Sequence, residues 1–133
     1  MKKIILILAL MSLEGCALLD AYFLKYDTNE YNLITDIRTS ASVFKNKCEN
    51  LAESKLHAEV IAVKTKNFVN FTEYQPHNKN VQAASVELDK IAQGLLDQYQ
   101  KNEKVSSVFC KVKFETLERS AETIQKTVGA KPR

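Results

Sequence analysis

Three cysteines, two histidines and a spaced run of glutamates are the residues of this chain whose types could do chemistry. His57 follows Glu53 by four residues, and His77 follows Glu73 by four. A di-iron site in a helical bundle takes a glutamate three residues before a histidine, twice over, with two further glutamates. That spacing is absent here. Zinc needs three or four convergent ligands, which two remote histidines do not supply, so no metal and no other cofactor is assigned. His57 reads as an exposed or hydrogen-bonded helix residue. Glu115, Glu118 and Glu122 lie three and four apart and read as a solvated helix face, partly balanced by Arg119. A glycosidase pair would need one carboxylate in an apolar pocket to raise its pKa. Serine nucleophile motifs, glycine-rich phosphate loops and a Cys-x-x-Cys-His haem attachment are missing from the sequence. No catalytic residue is assigned, and the chain reads as non-enzymatic.

The elements that must position these residues are helices. Gly15, Gly94, Gly129, Pro76 and Pro132 are the complete set of glycines and prolines in 133 residues, too few turn formers for an all-β fold. Apolar residues make up 45% and charged residues 26%, a globular mixture at a length suited to one domain. Ile34, Ile37, Ala41, Phe44, Cys48 and Leu51 recur at three and four, the stripe of an amphipathic helix. Asp27 or Thr28 caps its start, and Glu30 falls in the first turn. The pattern shifts phase at residues 50 to 56, where Asn50 and Glu53 resemble a capping box. Leu56, Val60, Val63, Phe68 and Phe71 carry it onward. Residues 75 to 80 contain Pro76, Asn78 and Asn80 and predict a reversal. Val81, Ala84, Leu88, Ile91 and Leu95 define a third helix. A fourth, capped by Ser106 or Ser107, is expected to bury Val108, Val112, Leu117, Ala121 and Ile124 and to fray at Gly129.

The first fifteen residues are of another kind. Lys2 and Lys3 precede an uninterrupted apolar run from Ile4 to Met11. That run is a secretory signal in form, too short for the roughly 20 apolar residues of a membrane-spanning helix. Leu13-Glu14-Gly15-Cys16 resembles the lipobox of bacterial lipoproteins, with Glu14 departing from the small residue usual at its position. The resemblance covers the first 16 residues only. It implies that residues 1–15 are removed as a signal peptide, that Cys16 is lipidated, and that residues 16–27 hold a helical domain of residues 28–133 close to a membrane. Ala17 after the cysteine, rather than Asp, implies the outer membrane, facing the periplasm. Ala17, Leu18, Leu19, Tyr22, Phe23, Leu24 and Tyr26 follow almost at once. Their aromatic rings suit either the headgroup region or the base of the domain.

With Cys16 lipidated in an oxidising compartment, Cys48 and Cys110 remain as a pair and are expected to form a disulfide. Neither belongs to a Cys-x-x-Cys motif, so the bond is structural rather than redox-active. In an up-down-up-down bundle the end of the first helix meets the start of the fourth, which lets the two cysteines bond. A long antiparallel two-helix hairpin reversing near residue 78 would also pair them. The phase breaks favour four helices.

Removal of residues 1–15 takes the formal charge from +3 to +2, and the scattered lysines form no basic stripe, so nucleic acid is not an expected partner. The expected partners are membrane lipid, through Cys16, and a protein of the cell envelope. Tyr74 and His77, beside Asn78 and Asn80 at the predicted reversal, are the candidate contact residues, because rings supply area and amides supply adaptable hydrogen bonds. The reading is a structural or protein-interaction lipoprotein, in a narrower version phage-encoded and acting in lysis or superinfection exclusion. The alternative is an inhibitor or immunity protein that plugs an envelope enzyme with this turn. A carrier of small apolar ligands is a third class, and it requires a cavity inside the bundle.

Overall fold

The structure, a computed structural model, describes residues 24–101 and 104–133. Residues 1–15, read above as a signal peptide, Cys16 and the residues up to Phe23 lie outside the described residues. Four helices follow in order: α1 Thr28–Phe44, α2 Leu51–Glu73, α3 Lys79–Lys101 and α4 Ser107–Gly129. Three of their starts are fixed by side-chain caps, which satisfy amide donors that a helix end leaves open. Asp27 accepts from the Glu30 amide, Asn50 from the Glu53 amide and Ser106 from the Phe109 amide. The capping box at Asn50 is not reciprocal. The Glu53 carboxylate accepts instead from Lys47 Nζ at 2.8 Å.

Short connections make consecutive helices antiparallel, and α1 packs on α4, α4 on α3, α3 on α2 and α2 on α1. The result is the four-helix bundle; the two-rod hairpin is not formed, because the chain leaves α1 at Lys45 and restarts at Leu51. Phe68 and Phe114, both fully buried, are the largest side chains of a core completed by Ile34, Ile37, Ile61, Leu88, Leu95 and Leu117. Cys48 and Cys110 are bonded. Cys48 is buried but lies beyond the end of α1, in the loop, rather than on a helical stripe.

Two stretches of the expected core are turned outward. Val108 and Val112 are 72% and 53% exposed, while Cys110, Phe114, Leu117, Ala121, Ile124 and Val128 form the inner face of α4. The disulfide and Phe114 set that phase, two residues from the expected one. On α2, Leu56 and Val63 are 56% and 60% exposed, and Leu51 is exposed too. The inner face of α2 is Ser54, Ala58, Ile61, Ala62, Thr65, Phe68 and Thr72. Small residues there let α3 approach closely, and the buried hydroxyls are paired, as a buried polar group must be. Thr65 Oγ1 donates to Asp89 Oδ1 at 2.8 Å, and the Thr72 and Ser85 hydroxyls share a hydrogen bond of 2.8 Å.

Candidate functional site

Up-down-up-down order brings the start of α1, the α2–α3 turn and the carboxyl end of the chain to one end of the bundle, opposite the disulfide. The incoming segment is held there by the last residues. The Tyr26 amide donates to the Pro132 carbonyl at 2.8 Å, and the Arg133 guanidinium lies 5.4 Å from the centre of the Tyr26 ring. Tyr26 in turn packs on Tyr31 at 5.8 Å between ring centres. The Tyr31 ring lies so close to Gly129 that a Cβ added there would come within 3.1 Å of it. Tyr26 therefore covers the base of the bundle.

Beneath this clasp is a buried polar cluster. Glu30, Asn78 and Lys131 are all buried. Asn78 Nδ2 and Lys131 Nζ donate to the two carboxylate oxygens of Glu30, and Lys131 Nζ also donates to Asn78 Oδ1 at 2.9 Å. A charge this far from water needs a partner, and each of the three elements supplies one member. The composition gave no sign of it: Glu30 reads as a dipole-favourable first-turn residue, and Lys131 lies beyond Gly129, where the fourth helix is expected to fray.

An open cleft of about 740 Å³ adjoins the cluster, with Leu24, Pro76, His77, Lys79 and Lys131 among its walls. His77 has φ 60°, a left-handed conformation uncommon outside glycine. Tyr74 is 83% exposed at the end of α2. The two candidate contact residues thus both lie at the end where the chain enters from Leu24, and His77 lines the cleft with Leu24 itself.

The other sequence candidates are dispersed. His57 is stacked on the Phe44 ring, 4.0 Å between centres, with its Nδ1 buried and unpartnered among the described residues. Burial holds its pKa below the usual histidine value, against the pull of Glu53. The glutamates of α4 are not a freely solvated face. Glu118 accepts from Lys45 of α1 at 2.6 Å, and that bond lowers its pKa; Glu122 accepts from Lys126 at 2.8 Å, with the same effect. Arg38 and Gln125 extend the α1–α4 contact through a 2.9 Å hydrogen bond. No group of three or more metal-ligating side chains occurs among the described residues, and no described helix is long and apolar enough to cross a membrane.

Comparison of the chain with protein-family profiles, with curated proteins and with solved structures finds no match.

Proposed function

We propose that this chain is a lipid-anchored envelope lipoprotein, non-enzymatic, that presents a rigid helical bundle to a protein partner from the membrane surface as a structural or interaction module. The observation that carries the reading is the placement of Leu24. It enters the bundle eight residues after Cys16, at the clasped end. Eight residues reach at most about 28 Å when extended, so lipid on Cys16 keeps the Tyr74–His77 turn near the bilayer. The Cys48–Cys110 bond agrees with an exported chain. The outer membrane facing the periplasm is the proposed address, and a phage-encoded role in lysis or superinfection exclusion is the narrower form. Metabolic labelling with palmitate tests it. Label is expected in the parent and absent from Cys16→Ser; label that persists in the variant overturns the anchor.

The exposed Tyr74 beside the His77 turn favours one second reading, an inhibitor or immunity protein for an envelope enzyme. Co-purification of one stoichiometric periplasmic enzyme, lost in Tyr74→Ala with His77→Ala, would support it over a scaffold.

A further inference from the structure

Burial alternates along the chain as it enters the bundle. Leu24 and Tyr26 are half-buried, and Lys25 between them is exposed. Leu24 forms a wall of the open cleft, and the Tyr26 ring packs on Tyr31. Asp27, next in line, has extended backbone with φ −118° and ψ 121°. Extended chain turns successive side chains to opposite sides, which is the pattern seen here. Carried back toward the amino end, the same alternation gives Tyr22 and Asp20 the side of Leu24 and Tyr26. Phe23 and Ala21 fall on the side of Lys25.

The cleft suits those two residues. Leu24, Pro76 and Val81 give it apolar walls, and no carboxylate lines it among the described residues. Of its two lysines, Lys131 is neutralised by Glu30, whereas Lys79 is exposed and has no ion pair among the described residues. Asp20 is the sole charged residue between Cys16 and Leu24. An exposed pair of Asp20 with Lys79 adds little energy, so its part is to set the register. The ring of Tyr22 supplies the buried area, with an apolar body for the walls and a hydroxyl that tolerates a wet mouth.

We infer that the cleft is the seat of this chain's own residues 20–23, with the Tyr22 ring between Pro76 and Val81, the Asp20 carboxylate against Lys79 and Phe23 turned away. The seat needs these residues and not the lipid. Where the lipid-anchor reading also holds, the seat shortens the tether: only four residues separate Cys16 from Asp20, a reach of at most about 14 Å. The clasped end of the bundle, with its Tyr74–His77 turn, is then held against the bilayer.

The chain has no tryptophan, so Tyr22→Trp and Phe23→Trp each introduce a single fluorescent reporter. The test uses the full chain in phosphatidylcholine vesicles, with acrylamide as the aqueous quencher and nitroxide-labelled phosphatidylcholine as the bilayer quencher. Tyr22→Trp should be quenched by acrylamide severalfold less than the same protein in urea, and the nitroxide lipid should leave it unaffected. Thr127→Phe, which puts a competing ring on an exposed position of the cleft wall, should abolish that protection. Lys79→Glu should weaken it, and Asp20→Lys with Lys79→Glu should restore it. A Tyr22→Trp ring open to acrylamide, or quenched by the nitroxide lipid, overturns the proposal, the second result placing the ring in the bilayer. So does protection of Phe23→Trp in place of Tyr22→Trp, protection indifferent to Thr127→Phe, or protection lost on dilution, which would mean the cleft of a second copy. The same protection is expected in Cys16→Ser without vesicles, so the seat and the lipid anchor fail separately.

Discussion

Lys131, two residues before the last residue of the sequence, buries its ammonium against the carboxylate of Glu30 in the first turn of α1. Removing one partner of such a pair leaves the other charge buried alone, at a cost of about 3–5 kcal/mol. Lys131→Met is therefore expected to be among the most destabilising substitutions near the end of the chain, and Glu30→Gln with Lys131→Met to recover part of the loss. Urea unfolding of the two variants and the parent measures both. A loss under about 1 kcal/mol in Lys131→Met would show that water reaches the ammonium.

The disulfide joins positions 62 residues apart. Restricting the unfolded chain by a loop of that size is worth about 4 kcal/mol in the chain-entropy account. Reduction should lower the melting temperature substantially while far-ultraviolet dichroism at low temperature stays helical, since the cores of α1 to α4 are formed by apolar contacts. Thermal melts with and without reductant check this, and thiol labelling of the native protein should detect neither Cys48 nor Cys110.

How much of this was legible beforehand depends on whether local pattern or distant partners decide a residue's place. The caps were local, and Asp27, Asn50 and Ser106 act where the sequence puts them. So were the apolar stripe from Ile34 to Ala41 and the reversal at Pro76. On α2 the sequence reading placed Phe68 in the core correctly but Leu56 and Val63 wrongly, because periodicity follows the largest apolar residues, and here Leu56 and Val63 lie outside while Thr65 and Thr72 are buried against Asp89 and Ser85. Hydroxyls are accepted in a core when the partner is within reach, and the partner is on another helix. The Glu30–Asn78–Lys131 cluster has the same cause, its members being 48 and 53 residues apart along the chain.

His57 predicts a pH dependence. Burial against Phe44 lowers its folded pKa below the unfolded value near 6.5, so between those two values the unfolded chain binds more protons. Stability from this group is fully present above about pH 6.5 and is lost as the pH falls below it toward the folded pKa. His57→Phe removes the ionisation and keeps a ring for stacking. Its melting temperature should fall less than the parent's between pH 7 and pH 5.5; parallel curves for the two proteins would assign the dependence to other groups.

Gly94 lies exposed in the interior of α3, and a Cβ built on it meets nothing within 4 Å. Glycine in a helix interior costs about 0.5–1 kcal/mol relative to alanine, because the unfolded chain gives up more freedom on ordering. No clash opposes the added methyl group, and the neighbouring ion pairs Glu87–Lys90 and Asp97–Lys101 lie within α3 and do not involve this position. Gly94→Ala should therefore stabilise the bundle by that amount, read as a higher urea midpoint at an unchanged slope. Destabilisation by Gly94→Ala would mean that the helix needs glycine there for a close approach by something other than the four helices of one copy.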